Sequence, residues 1–256
     1  MNFPFFSILT ASLNSMPTIW DNLESMMSQN FKDFEHIVID GGSDDGTLDI
    51  LEKFKNAYNL YWISEPDGGI ADALNKGLSI AKGRYIIVIQ ADDRLLDPDT
   101  LEKVYPLLGS KKVDIYSFPV VLDHRDSCKV LRKPIRWLWW NHFKFILPHQ
   151  GCFVKRTVFD QVGQFRTEFR INMDYDFFYR AFANKVSVKF GEFPVAIMGD
   201  SGIGSDSSYM IKRLEEERWV QILNEKNLIW RLAQFIFNAF YKIYKIKFLS
   251  SNPRKR

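Results

Sequence analysis

Two carboxylates stand side by side at Asp92 and Asp93, directly behind the apolar run YIIVI (85–89). An unbroken apolar run of that length is expected of a strand buried on both faces of a parallel sheet. In α/β sheets, ligands bind outside the carboxyl ends of the strands, so the pair sits where chemistry is done. Adjacent residues of an extended chain point opposite ways. One carboxylate can therefore face a metal while its neighbour reaches the sugar ring of a nucleotide. Hard divalent cations take carboxylate oxygens, and Mg2+ or Mn2+ commonly uses one or two of them together with substrate phosphates. The competing role is a solvated turn into DPDT (97–100), where Asp97 or Asp99 caps a helix.

A second acidic signal is Asp174 with Asp176, opening the aromatic segment NMDYDFF (172–178). A carboxylate near a helix N-terminus stays ionised. Within reach of a hydroxyl it can serve as a general base. Helix capping competes for either residue, and one can cap while the other catalyses. Further acids follow two other apolar runs. Asp40 ends FEHIVID and precedes GGSDDGT (41–47); EPDGG (65–69) follows LYWIS. Gly41 and Gly46 have P-loop spacing, but Thr47 stands where a P-loop needs Lys, and Asp44 and Asp45 would repel a phosphate. That segment reads as a glycine turn with Ser43 or Asp44 capping the next helix. Asp40, at a strand tip, can accept hydrogen bonds from a base or ribose.

The elements that must position these acids alternate along the chain. Strand patterns at PFFSILT, FEHIVID, LYWIS and RYIIVIQ are separated by helical patterns near 16–29, 47–57 and 70–82. Short connections between them predict right-handed βαβ units and an α/β, doubly wound, mostly parallel sheet. The second half is less regular. VDIYSFPVVLD (113–123) reads as a strand or hairpin arm. Residues 129–147 hold basic residues and three tryptophans with no acid. Helices are expected near 155 and over 174–184, with short strands near VSVKF and PVAIM. Helical patterns then run from 207 to about 224 and over 228–248.

At 256 residues, 46% hydrophobic and 25% charged, the chain has globular composition. Cys128 and Cys152 show no zinc-ligand spacing, and two isolated thiols fit a reduced compartment. No Lys or Arg precedes the short apolar run at the start, and no stretch of about 18 apolar residues exists. Neither a signal peptide nor a spanning helix is expected. The net charge of +3 hides an asymmetry: residues 226–256 carry eight Lys and Arg and no acid, leaving 26 basic and 31 acidic residues in 1–225. An acidic body argues against a nucleic-acid groove. The basic tail suggests an anionic partner.

Taken in order, VIDGGSDDGT, WISEPDGGIADALNKG, QADD and NMDYDFFYR resemble the family 2 inverting glycosyltransferases with the GT-A fold, over about 5–205. The resemblance implies a Rossmann-like GT-A catalytic domain over 1–205 and a C-terminal helical, basic extension over 206–256. It implies a nucleotide-sugar donor, a glycan or lipid-linked acceptor in cell-surface polysaccharide biosynthesis, and Mn2+ or Mg2+ as cofactor. By the same resemblance Asp93 holds the metal, Asp92 the ribose, and Asp174 is the catalytic base. Asp40 lies near the nucleotide base, Asp67 and Asp72 line the donor pocket, and His149 of PHQG touches the acceptor or the diphosphate. The chain departs from the family pattern at Gln90, where the first Asp of the DXD-type motif is expected. It departs also at Met173 in place of Glu, Gly41 in place of an acid, and Leu13 in place of an aromatic.

Two rivals remain at this stage. A nucleotidyltransferase needs a glycine-rich basic loop near the N-terminus, which SILTASLNS lacks. An inactive, nucleotide-sugar-binding scaffold of a membrane assembly fits the Gln90 and Met173 departures. The tail bears on both. Leu228, Ile229, Leu232, Phe235, Ile236, Ala239, Phe240, Ile243 and Ile246 recur at helical spacing beside Lys242, Lys245 and Lys247. Such a helix suits an anionic membrane surface, which would make the protein cytoplasmic and peripheral. The alternative is a helix docked on the body with a solvated basic face. RKPIRWLWWNHFKF (132–145) is a second candidate surface, or an acceptor-site lid.

Overall fold

The computed structural model describes residues 3–109, 113–123, 129–199 and 207–251, excepting the side chains of 207, 246 and 248–251. His124 and Cys128 lie outside them. The first four strands are β1 (Phe6–Ser12), β2 (Phe34–Asp40), β3 (Leu60–Ser64) and β4 (Tyr85–Val88). Three helices alternate with them: α1 (Met16–Met27), α2 (Thr47–Phe54) and α3 (Ile70–Ile80). After β4 come β5 (Arg94–Leu95), α4 (Thr100–Gly109), β6 (Ile115–Ser117), β7 (Val120–Leu122) and β8 (Val130–Arg132). Next are β9 (Cys152–Lys155), α5 (Arg156–Val162), α6 (Met173–Ala183), β10 (Val188–Phe190) and β11 (Ala196–Met198). Two helices close the chain, α7 (Met210–Asn224) and α8 (Leu228–Ser251).

The main sheet has the order β10-β6-β9-β4-β1-β2-β3. β1 pairs in parallel with β2 and β4, and β2 with β3, while β9 runs antiparallel between β4 and β6. The parallel block places the carboxyl ends of β1–β4 on one edge. Its strands are apolar on both faces because α3 with the α5–α6 region covers one side and α4 the other. The segment expected as one strand or hairpin arm is two strands in different sheets. β6 stays in the main sheet, and β7 enters a four-stranded sheet of order β5-β11-β7-β8. Pro119 sits at the break; it has no N–H to continue a ladder.

His36 is a packing residue inside β2. The Thr10 hydroxyl donates to the Ile89 carbonyl (2.6 Å), so it accepts from His36 Nε2 (2.9 Å), and His36 Nδ1 accepts from the Tyr58 hydroxyl (2.8 Å). Only the neutral ring satisfies all three, and burial lowers its pKa to about 3. At the other end of the chain, α7 belongs to the body. Val220 is in the main core, and Glu216 is buried among backbone N–H groups of the loop before α6. α8 docks beside it through Trp230, Gln234 and Phe237.

Candidate active site

The end of β4 turns rather than running on extended. The Asp93 N–H donates to the Gln90 carbonyl (2.9 Å), which folds the Asp93 carboxylate back under the turn. That carboxylate is 2% exposed and accepts from Gly199 N (3.0 Å), Gln150 Nε2 (3.0 Å) and Gln90 N (3.3 Å). Burial, then the charge of Asp92, pushes its pKa up to about 7, against the opposing pull of His149, Gln150 and Gly199. Both Asp93 oxygens are engaged within the protein, and Asp93 lines the cleft beside Asp92. Asp92 is the half-buried member of the pair and lines the cleft. Gly199 closes over it: a Cβ there would lie 2.5 Å from the Asp92 carbonyl oxygen.

The opposite wall is α6. Glu216 of α7 accepts from the backbone N–H groups of Arg170 (3.2 Å), Ile171 (2.8 Å) and Asn172 (3.0 Å), and so fixes the loop that launches the helix. Asp174 is the second residue of α6. Its Oδ1 accepts from Tyr175 N (2.7 Å), and its Oδ2 lies 3.2 Å from His149 Nδ1. Asp174 thus takes one free N–H of the first turn, whereas neither Asp176 nor the N-cap residue Asn172 does so. Asp176 points the other way, fully buried between Arg166 (3.0 Å) and Arg180 (2.9 Å). Arg180 therefore pairs with a carboxylate of the fold.

His149 lies in the 3-10 turn His149–Gly151, just before β9. Its Nε2 is buried with no hydrogen-bond partner. Asp92, His149 and Asp174 share one cleft of about 290 Å³ with Gln150, Arg132 and Arg170. Beside Asp174 lies a small apolar cavity of about 30 Å³, lined in part by Phe177, Phe178 and Cys152. Cys152 is a buried free thiol whose pKa burial pushes up to about 12, so it is no nucleophile.

Asp40, Asp67 and Asp72 do not line this cleft. Asp40 is fully buried and accepts from Gly42 N, Ser43 N, Ser43 Oγ and Ser64 Oγ at 2.5–3.0 Å. The expected reach of its carboxylate to a base is corrected accordingly: it organises the glycine turn. Asp67 accepts from Gly69 N (2.8 Å) and Asp72 from Gly68 N (2.9 Å), holding EPDGG in shape. The cap expected from Ser43 or Asp44 is supplied elsewhere. Ser43 Oγ serves Asp40 and Asn14 N, and Asp45 accepts from Thr47 N (3.0 Å) and Met16 N (2.9 Å). Gln150, Glu216 and Arg132 were not singled out from sequence. Only Gln150 carried a signal, as the neighbour of His149 in PHQG.

Among the described residues no three His, Cys, Asp or Glu side chains converge as a metal cage. A cation here would rest on few protein donors and complete its shell with phosphate oxygens, as Mg2+ and Mn2+ commonly do. The half-buried Asp92 carboxylate, which lines the cleft, fits that demand.

The geometry has counterparts among known proteins. The family model "Glycosyl transferase family 2" matches residues 7–170. A PGL/p-HBAD biosynthesis glycosyltransferase of Mycobacterium bovis (strain BCG / Pasteur 1173P2) is 32% identical over 194 residues, covering 72% of each chain. A cholesterol galactosyltransferase of Borreliella burgdorferi is 36% identical over 110 residues, 43% of this chain and 30% of that protein. Among solved structures, S. aureus TarS 1–349 in complex with UDP-GlcNAc superposes with a TM-score of 0.69 at 20% identity, covering 92% of this chain and 71% of that one. Mannosyltransferase PcManGT from Pyrobaculum calidifontis, in complex with GDP-Man and Mn2+, gives a TM-score of 0.68 at 19% identity over 93% and 70%. These two share the fold, a mixed α/β GT-A architecture with a mostly parallel sheet. With more than half its length matched and a curated relative above 30% identity, the chain belongs to glycosyl transferase family 2 and is a glycosyltransferase.

Proposed function

We propose that the enzyme moves a sugar from a nucleotide-diphosphate donor to a hydroxyl of a glycan or lipid-linked acceptor, with inversion, in cell-surface polysaccharide biosynthesis. The observation that carries this reading is the single cleft shared by Asp92 and Asp174, one at a strand tip and the other at a helix start. Asp174 accepts the proton of the acceptor hydroxyl. The oxygen then bonds to the anomeric carbon from the face opposite the diphosphate, whose bond to that carbon breaks with its electron pair. His149 steadies Asp174 Oδ2 through Nδ1 and lines the cleft where the acceptor or the diphosphate would lie. Asp92, with Asp93 beside it in the cleft, would hold Mn2+ or Mg2+, which would neutralise charge on the departing diphosphate. Asp40, Asp67 and Asp72 shape the donor side through the turns they hold. The nucleotide sugars in the TarS and PcManGT complexes, and the Mn2+ of the latter, support this assignment.

The test is a panel of UDP- and GDP-sugars with and without Mn2+. At least one donor should raise the melting temperature in a Mn2+-dependent manner and be turned over to free nucleoside diphosphate. Stabilisation at about 100 times the dissociation constant is roughly 2.7 kcal/mol, which is readily measured. Asp92→Asn should remove the Mn2+ dependence. Binding without any turnover would favour a scaffold.

We further propose a cytoplasmic, peripheral placement on an anionic membrane. No helix among the described residues is long and apolar enough to cross a bilayer. One face of α8 docks on the body, and another leaves Leu228, Ile229 and Phe240 more than 70% exposed, which supports the membrane reading. Lys242, Lys245 and Lys247 flank that face, and each basic residue near anionic lipid adds about 1 kcal/mol. Co-sedimentation with vesicles containing phosphatidylglycerol should weaken with salt. It should fall at least tenfold in the Ile229→Asp/Phe240→Asp double variant, since each buried apolar side chain is worth about 1.5–3 kcal/mol. Unchanged binding would remove α8 from the contact.

A further inference from the structure

The cleft has two chemically different walls. Asp92 comes from the turn after β4, whereas Arg132, Lys144, Arg170 and Arg213 all come from the second half of the chain. Lys144 is committed: it pairs with Glu217 and lies 3.7 Å from the centre of the Tyr241 ring. Arg132 and Arg170 are not. Among the described residues the guanidinium of Arg132, half-buried on β8, makes no hydrogen bond or ion pair, and neither does that of Arg170. A guanidinium offers five N–H donors in a rigid fork that matches phosphate oxygens. Keeping one half-buried with none of those donors used is costly unless a ligand supplies the acceptors. Burial does lower the Arg132 pKa, and the opposing charges are those of Asp174 first and then Cys152. Arg132 and Arg170 line the same cleft as Asp174, and Arg170 lies in the loop that launches α6, on the wall of the base, where the acceptor must lie.

We propose that Arg132 and Arg170 form a phosphate-binding site on the acceptor side of the cleft, taking a phosphate or diphosphate ester carried by the acceptor. The proposal rests on Asp174 being the base. The surroundings suit a lipid phosphate. The segment following Arg132 exposes Trp137 and Trp139, and Trp140 packs on Phe237 of α8 (5.8 Å between ring centres). The same chemistry could come from the donor's own diphosphate, and the experiment separates the two sources.

Titration calorimetry on the full chain would use three probes: inorganic pyrophosphate without divalent cation, farnesyl phosphate against farnesol, and UDP or GDP with Mn2+. The wild type should bind pyrophosphate and farnesyl phosphate but not farnesol. Arg132→Gln and Arg170→Gln should each weaken both anions about 10–100-fold, the range of a charge-assisted contact. Arg132→Lys should recover part of the loss, and nucleotide–Mn2+ binding should stay within twofold. Equal affinity for pyrophosphate and farnesyl phosphate in all variants overturns the site. Loss of nucleotide–Mn2+ binding with farnesyl phosphate unaffected overturns its placement on the acceptor. If Arg132→Gln fails to fold, Arg170→Gln carries the test, because that side chain is exposed. None of these measurements needs turnover. Failure of the glycosyl-transfer reading would show instead as a wild type that releases no nucleoside diphosphate from any donor.

Discussion

Asp174→Asn should lower turnover by about 10²–10⁴-fold while donor affinity stays within about twofold. The substitution keeps the shape of the side chain and removes its basicity. The amide oxygen can still accept from Tyr175 N, which lies 2.7 Å from Oδ1. Its nitrogen then faces His149 Nδ1, 3.2 Å from the present Oδ2, and His149 must adopt the other tautomer to accept from it. Asp92, proposed to serve the donor, comes from the turn after β4 rather than from α6, so the substitution leaves it in place. Single-turnover transfer measures the chemical step, and donor-induced thermal stabilisation measures binding; the expected result is loss in the first alone. Transfer near wild-type rates would mean that another group accepts the proton, and an equal loss of donor binding would mean that the substitution disturbs the cleft as a whole.

The parallel half of the fold was readable because β1–β4 are apolar runs bounded by turn residues, the first three each followed by a helical pattern. Period and punctuation suffice for such elements. The second half resisted because its order depends on partners far away in sequence. Pro119 ends β6 and sends the next three residues into another sheet, a change no local pattern announces. Asp92 and Asp93 show a subtler limit. Alternation in an extended strand does not apply to these two carboxylates, because the chain has left β4 and turned before it reaches them. The backbone turns at 91–92, and the Asp93 N–H bonds back to Gln90, so the second carboxylate falls inward under Gln150 and Gly199. Asp40 follows the same logic. A strand-tip acid reads as a ligand contact, yet four donors within its own turn and its neighbouring strand use both oxygens. Glu216 shapes the launch of α6 from more than forty residues away, and nothing in its own neighbourhood marks it.

Asp176→Ala should cost about 3 kcal/mol of stability, with the chemistry of the folded enzyme largely intact. The residue is fully buried and holds Arg166, Arg180 and the Asn224 amide together. Breaking a buried pair by removing one partner typically costs about 3–5 kcal/mol, because the remaining charge is left uncompensated. Arg180 keeps the Val162 and Gln164 carbonyls, and Arg166 is about a third exposed, so the lower end applies. For a chain near this size, 1 kcal/mol corresponds to about 2–4 °C, so the melting temperature should fall by roughly 6–12 °C. If charge compensation is the cause, Asp176→Ala/Arg180→Met should be less destabilised than the two single variants summed, by more than about 1 kcal/mol, as coupled neighbours are. A fall below 2 °C, or strict additivity, would mean that packing alone holds this corner. The two acids of the DYD segment thus divide by the direction each takes from one helix: Asp174 towards the cleft and His149, Asp176 towards the cations that tie α6 to the α5–α6 loop and to α7. Loss of turnover at the first and loss of stability at the second are separable measurements, and the same variant should not show both.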